Sequence, residues 1–266
     1  MKTAVIQLKA NHEKQKNIIK AVDLVRKAIQ KKSQFILLPE VFSYRGNIES
    51  RKQLQTVAEK IPGPSTTPII DLARKHKVFI LAGSVYEKAP AQQKVFNTSI
   101  LINPSGKIVG KYRKMNLFNA VIGRKKIREA NNFLSGRKTV KTKVGNFNVG
   151  LSICYDLRFS ELYKKYASEG VDVLCVPAAF TQETGKAHWK ILLQARAIEN
   201  FCYVLAPNQT GTDNRGVANY GHSMIIDPWG TVLAEASGTK EEIIYADLDF
   251  ENIKIIRKRF PSFRKR

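Results

Sequence analysis

Val149-Gly-Leu-Ser-Ile153 and Val173-Leu-Cys-Val176 are short apolar runs, and the segment from Phe159 to Glu169 between them reads as a helix. Strand, helix and strand in that order predict an α/β protein with buried sheets. Moving outward, further apolar runs repeat the theme: Thr3-Ala-Val-Ile-Gln7, Phe35-Ile-Leu-Leu38, Val78-Phe-Ile-Leu-Ala82, Thr98-Ser-Ile-Leu-Ile102 and Tyr203-Val-Leu-Ala206. Helical patterns lie between them. From His12 to Lys31, Ile18, Ile19, Val22, Val25 and Ile29 fall mostly on one stripe. Thr67 to His76 is a shorter candidate, and His188 to Glu199 places Trp189, Leu192, Leu193 and Ala197 inward. Two turns break the alternation. Ile102-Asn-Pro-Ser-Gly106 and Ile226-Asp-Pro-Trp-Gly230 each set a Pro and a Gly between apolar runs, the chemistry of a tight hairpin turn. Hairpins mixed with helices predict a sandwich of mixed sheets rather than one doubly wound sheet. No linker or low-complexity segment divides residues 1–266, so one domain is expected.

The chain is 43% hydrophobic, enough for a substantial core and too much for disorder. No apolar run approaches the roughly 20 residues of a membrane helix. Met1 to Ala10 meets Lys9 too soon for a secretory signal and reads as a first strand, so the cytoplasm is expected. Cys154, Cys175 and Cys202 form neither a CxxC pair nor an even framework, which fits a reducing compartment. The formal charge is +23. Basic clusters at Arg124 to Arg128, Arg137 to Lys143 and Arg257 to Arg266 allow weak, non-specific nucleic-acid binding. No zinc spacing, RNP-type aromatic motif or helix-turn-helix accompanies them, so a solvated basic face is the plainer reading.

Three reactive groups end hydrophobic runs. Cys154 is followed by Tyr155-Asp156-Leu157-Arg158, so its strand turns polar and presents the sulfur at an end. Cys175 and Cys202 sit inside apolar stretches and read as inert. Glu40 follows Leu37-Leu38-Pro39, where proline ends the strand. By itself it is either a solvated strand-end carboxylate or a partly buried base. Lys114, in a basic stretch with Lys111 and Arg113, would alone be taken for a surface lysine. Other nucleophile signatures are missing: no G-x-S-x-G, no P-loop and no G-x-G-x-x-G. His12, His76, His188 and His222 show no metal spacing, so neither metal nor cofactor is expected. The matches to N-x-S/T at Asn97 and Asn208 are read as chance.

Taken together, three segments resemble those of the nitrilase superfamily, the carbon–nitrogen hydrolases. They are Leu37-Leu-Pro-Glu40-Val-Phe42, Lys111-Tyr-Arg-Lys114-Met-Asn-Leu-Phe118 and Gly150-Leu-Ser-Ile-Cys154-Tyr-Asp-Leu-Arg-Phe159. The resemblance runs from the first strand to the Pro228-Trp229-Gly230 turn and implies a four-layer α-β-β-α sandwich of two mixed β-sheets. It implies Glu40 as general base, Lys114 as the family's lysine and Cys154 as nucleophile. It also implies a second glutamate soon after the lysine, and Glu129, fifteen residues on, is the match. Thr184-Gly-Lys-Ala-His-Trp189 and Gly221-His-Ser-Met224 resemble the Nit branch, the deaminated-glutathione amidases and ω-amidases.

The implied reaction is amide hydrolysis through a cysteine thioester, with Lys114 and the Tyr155 N–H on the oxyanion and Glu129 orienting the lysine. The implied partners are a small anionic amide, such as deaminated glutathione or 2-oxoglutaramate, and a second copy of the chain in a homodimer or larger homo-oligomer. The aromatic tail Phe260-Pro-Ser-Phe263 is a possible anchor there. Arg158 either pairs with Asp156 or faces a substrate carboxylate. Where relatives usually read Lys-x-His-Leu-Phe-Asp, this chain has Asn116 and Asn119, and Gly123 to Arg128 is unusually basic. Other amidases, carbamoylases and nitrilases share the reacting centre. A basic binding protein without turnover is the reading from another class.

Overall fold

Residues 1–122 and 125–260 are described by the computed structural model. The apolar runs form strands. In one sheet lie β1 (Lys2–Gln7), β2 (Phe35–Leu37), β3 (Phe79–Leu81), β4 (Val85–Lys88), β5 (Val95–Ile102) and β6 (Ile108–Arg113). The next two, β7 (Asn119–Ile122) and β8 (Lys125–Arg128), make a separate hairpin. A second sheet holds β9 (Lys141–Val144), β10 (Phe147–Leu151), β11 (Val173–Cys175) and β12 (Tyr203–Ala206). After another hairpin, β13 (Thr210–Thr212) and β14 (Ala218–Tyr220), it is completed by β15 (Met224–Ile226) and β16 (Val232–Glu235). Last, β17 (Glu242–Asp247) returns to pair antiparallel with β1.

Both sheets are mixed. Parallel pairing joins β1 to β2 and β2 to β3, and again β10 to β11 and β11 to β12. The two Pro–Gly turns make antiparallel hairpins, β5–β6 and β15–β16, as the sequence indicates. In each the turn is closed in the same way: Gly106 N–H donates to Asn103 C=O and Gly230 N–H to Asp227 C=O.

The layers follow from the two-residue period of a strand. Val5, Phe35, Leu37, Leu81 and Leu101 point to one face and meet Val149, Leu151, Val173 and Cys175 of the other sheet. The intervening Ala4, Ile6, Ile36, Leu38 and Ile80 point the other way, onto helices. The helices are α1 (Lys14–Gln30), α2 (Arg51–Val57), α3 (Thr67–His76), α4 (Ser160–Ser168), α5 (Gln182–Thr184), α6 (Lys190–Asn200) and α7 (Phe250–Arg259). Of these, α1 and α3 cover the first sheet, through Ala21, Leu24, Val25, Ile69 and Leu72. The second sheet is covered by α4 and α6, through Leu162, Tyr163, Tyr166, Leu193 and Ala197. The result is an α-β-β-α sandwich. Gly150 is required by close approach, because a Cβ there would lie 2.9 Å from the Tyr166 ring.

Some expectations shift. In α1 the buried stripe is Ile18, Ala21, Leu24, Val25 and Ala28, and Ile19 is 53% exposed. Small alanines, weak in a hydrophobicity reading, take the positions against the sheet. The predicted helix from His188 begins with a π-helical turn, Gly185–Trp189, before α6. Gly185 lies too close to the Tyr220 ring to carry a Cβ. Phe263 lies outside the described residues. Phe260 stacks on Phe201 of its own chain, ring centroids 5.0 Å apart.

Candidate active site

Glu40, Lys114 and Cys154 each sit just beyond a strand, after β2, β6 and β10 respectively. The sandwich gathers these three ends. Lys114 is not the surface lysine its local sequence suggests, since it is only 1% exposed. Its backbone is fixed on both sides, by Lys114 N–H to Asn97 C=O at 2.8 Å and Gly136 N–H to Lys114 C=O at 2.8 Å. Its Nζ lies 2.9 Å from Glu40 Oε1 and 2.9 Å from Glu129 Oε2. Two carboxylates thus clamp one buried ammonium. Burial alone would push the lysine toward neutrality, but Glu129 and Glu40 outweigh it and hold the ammonium well above the usual lysine range.

Glu40 is buried and also accepts from Asn97 Nδ2 at 2.8 Å. Burial pushes its carboxyl up, yet attraction and hydrogen bonding from Lys114, then Arg45 and Cys154, bring it below the usual range. It is therefore an ionised base. The next residue, Val41, has φ +44°, an outlier for a β-branched residue, and its N–H is held by Ser84 Oγ at 2.9 Å. Glu129 begins the 3₁₀ turn Glu129–Asn131, directly after β8. Its Oε2 also accepts the Phe118 N–H at 2.7 Å, and its own N–H donates to Phe118 C=O at 3.0 Å. The β7–β8 hairpin therefore starts and ends at the lysine clamp.

Cys154 heads the 3₁₀ turn Cys154–Arg158 with φ +50°. Left-handed backbone costs an L-residue roughly 1–2 kcal/mol. The turn is held against that cost by Cys154 N–H to Pro177 C=O at 2.9 Å and by Asp156. Asp156 Oδ2 accepts from Ile153 N–H at 2.9 Å and Tyr112 Oη at 2.7 Å. Its Oδ1 accepts from Asn116 N–H and Nδ2 at 2.8 and 2.9 Å. Asp156 thus ties the cysteine turn to the strand and loop that carry Lys114. This gives Asn116 a structural task, and Asn119 has one as well: its Oδ1 accepts the Ala130 N–H at 3.3 Å. Burial and Glu40 push the Cys154 thiol up, against Lys114 and the Ala179 N–H, so the sulfur keeps its proton at rest.

A pocket opens on Cys154, walled by Phe118, Tyr155, Ala179, Phe180, Thr181 and Arg158. Tyr155 packs edge-on against Phe118 and Phe159. The sequence left Arg158 two roles. Asp156 is engaged elsewhere, while Arg158 Nη2 lies 3.1 Å from His188 Nδ1 and its guanidinium sits at the pocket wall between the Tyr155 and Phe180 rings. Cys175 and Cys202 are fully buried in the core.

Sequence reasoning missed Asn97, offered only as a chance N-x-S/T match. The available signal was a polar residue inside the mostly apolar run of β5. It also missed the buried pairing of Arg45 with Asp213 and Arg215, because the loop that carries Arg45 and the β13–β14 loop that carries the other two share no local pattern.

Residues 2–258 match the family model for carbon-nitrogen hydrolase. The chain is 38% identical to a deaminated glutathione amidase of Synechocystis, over 99% of this chain and 97% of that protein. It is 35% identical to the human omega-amidase NIT2, over 99% and 94% respectively. Among solved structures, Nit3 of Saccharomyces cerevisiae, a member of branch 10 of the nitrilase superfamily, superposes with a TM-score of 0.86 at 32% identity, covering 98% of this chain and 94% of that one.

Proposed function

The chain belongs to the carbon–nitrogen hydrolase family, and on that premise we propose that it is an amidase using Cys154, Glu40, Lys114 and Glu129 on a small anionic amide. The observation that carries this is the clamped ammonium of Lys114. It is buried between two carboxylates, beside a strained cysteine that opens on a pocket.

In this reading Glu40 takes the Cys154 proton as the sulfur attacks the amide carbonyl carbon. The carbonyl electrons move to oxygen, where the Lys114 ammonium and the Tyr155 N–H receive the charge. Tyr155 lies at the amino end of its turn, where helical N–H groups lack a partner within the turn. Glu40 returns the proton to the leaving nitrogen, and the C–N bond breaks to give a thioester and a free amine or ammonia. Water then gives a proton to Glu40 and attacks the thioester. The released sulfur recovers the proton. Glu129 keeps Lys114 charged and aimed, so no step requires the lysine to deprotonate.

Arg158 supplies recognition. A guanidinium at the pocket wall suits a substrate carboxylate. The relatives named for deaminated glutathione and as omega-amidase favour an amide of a 2-oxo dicarboxylic acid, deaminated glutathione first and 2-oxoglutaramate second. The working unit in this proposal is at least a homodimer. Ile191 and Ile198 share the outer face of α6, 69% and 49% exposed; Gly230 lies against Ile198, and its chain neighbour Trp229 is 55% exposed. A water-facing apolar stripe of this kind marks an interaction surface. Cytoplasmic residence is proposed on the three unpaired thiols. Among the described residues no helix is long and apolar enough to cross a membrane.

The test is to mix the protein with each candidate amide, quench in acid and map the acyl adduct by peptide mass. An adduct on Cys154, with ammonia or amine released, is expected. Turnover with the adduct on Cys175 or Cys202, or undiminished turnover by Cys154→Ala, would overturn the mechanism.

A further inference from the structure

Asn97 runs against its surroundings. It lies inside β5, and asparagine is a poor strand former. It shares a face of the strand with Leu101, which packs between the two sheets, and it is only 2% exposed. Its Oδ1 is buried and finds no hydrogen-bond partner among the described residues. A buried amide with one end unpartnered is destabilising, so the other end has to account for the residue. That end, Nδ2, donates to Glu40 Oε1 at 2.8 Å. Which amide atom faces Glu40 follows from chemistry, because an ionised carboxylate only accepts.

Asn97 also holds the lysine, whose backbone N–H donates to the Asn97 C=O at 2.8 Å. One residue of β5 thus touches the base with its side chain and the oxyanion lysine with its backbone. The effect on Glu40 is asymmetric. Oε1 accepts from Lys114 Nζ at 2.9 Å and from Asn97 Nδ2 at 2.8 Å. A carboxylate oxygen has two lone pairs, so both of those on Oε1 are engaged. A proton arriving from Cys154 then has Oε2 as its place. With Lys114 alone, one lone pair of Oε1 would stay open and the proton could settle on either oxygen.

We propose that Asn97 is a positioning residue: together with Lys114 it closes Oε1 of Glu40, keeps the carboxyl ionised between turnovers and confines the proton of the reaction to Oε2. The proposal rests on Glu40 acting as the base. The proton leaves Cys154 Sγ for Oε2 as the S–C bond forms, and leaves Oε2 for the departing nitrogen as the C–N bond breaks. The Asn97 amide keeps its own protons throughout. The ionisable groups whose fields reach Glu40 are Lys114 from the end of β6, Arg45 from its own loop, Cys154 from the turn after β10 and Tyr86 from β4, with Glu129 behind Lys114. Asn97 carries no charge, so an apolar side chain in its place removes one hydrogen bond and leaves each of these fields standing. A hydrogen bond to the charged form favours that form. Its loss raises the Glu40 carboxyl and moves the acid limb of kcat/KM to higher pH.

The experiment is the pH profile of kcat/KM for a carboxylate-bearing amide, with the urea midpoint of each variant. Asn97→Leu is close in size and keeps water from taking the donor's place. Its acid limb is expected to rise by roughly half a pH unit or more, and its plateau to fall about 10-fold to 10²-fold. Asn97→Asp keeps the size, loses the donor and sets a like charge beside Glu40, so its limb rises further. Asn97→Val, a better strand former, takes the place of Asn97→Leu if that variant does not fold. Loosened packing would lower the urea midpoint and the plateau without moving the limb. An unmoved limb in the folded apolar variant, or a limb in Asn97→Asp at or below that of the parent, overturns the proposal. Glu40→Gln separates the two layers. If it turns over normally, Glu40 is not the base, whatever Asn97 does; if it is inactive while the limb of Asn97→Leu stays in place, only the role of Asn97 falls.

Discussion

Replacing Lys114 by Met should reverse the sign of the protein's response to acid. Met matches the length of the lysine stem and leaves no large cavity, so the change is one of charge. In the parent, burial penalises Glu40 but Lys114 overcompensates, and the carboxyl sits below its usual range. Such a group contributes stability above the unfolded-state carboxylate range and loses it as pH falls through the folded value. Without Lys114 only the burial penalty and weaker fields remain, and the Glu40 carboxyl rises above its unfolded value. It then destabilises the fold at neutral pH, and acidification relieves the strain. Breaking a buried pair by removing one partner costs about 3–5 kcal/mol. Glu129, with a side chain 20% exposed, can recover some hydration, which favours the lower end. For a chain of this size that is a fall of roughly 10 °C in thermal midpoint near pH 7.5. Activity should drop further than loss of one oxyanion donor alone, beyond about 10²–10³-fold, because Glu40 also picks up a proton. Thermal unfolding near pH 7.5 and pH 5.5, with kcat on the same samples, checks both parts. A variant that loses stability on acidification as the parent does would refute the clamp argument. A loss under tenfold in kcat would remove Lys114 from the oxyanion site.

Iodoacetamide should label Cys154, which opens on the pocket, well before Cys175 or Cys202, which are sealed in the core; peptide mass mapping decides. Arg158→Gln should raise KM for carboxylate-bearing amides about 10²-fold or more while barely changing it for an uncharged aliphatic amide, and equal losses on both would exclude a carboxylate contact. The same anionic substrates should react more slowly as salt rises, since the field of a +23 chain reaches only about 8 Å at 0.15 M. Gly150→Ala should cost about 1–3 kcal/mol by forcing a methyl group against the Tyr166 ring, and a neutral effect in urea titration would mean the ring yields freely. Light scattering should show a species above the 30.0 kDa monomer, and Ile191→Glu should dissociate it without lowering the thermal midpoint much. A monomeric parent would remove the proposed interface.

What the sequence determined by itself are the features written in local order. Apolar runs of strand length between helical patterns specify an α/β sandwich, because period-two and period-3.6 burial is a property of neighbouring residues. The Asn103-Pro-Ser-Gly106 and Asp227-Pro-Trp-Gly230 turns fixed two hairpins through backbone preferences of Pro and Gly. Cys154 could be picked out because its strand turns polar directly after it, whereas Glu40 and Lys114 were marked by the resemblance of their segments to the family. Only the tertiary structure decided how charged groups far apart in the chain meet. Lys114 reads as a surface residue until Glu40 and Glu129 close on it, seventy-four residues before and fifteen after. Asp156 stands two residues from Arg158 yet pairs with Tyr112 and Asn116, forty or more residues away. Arg45 reaches Asp213 across 168 residues. Local pattern records which side of a strand or helix is dry. It does not record partners, because the energy of a buried charge depends on what the fold sets within a few ångströms of it.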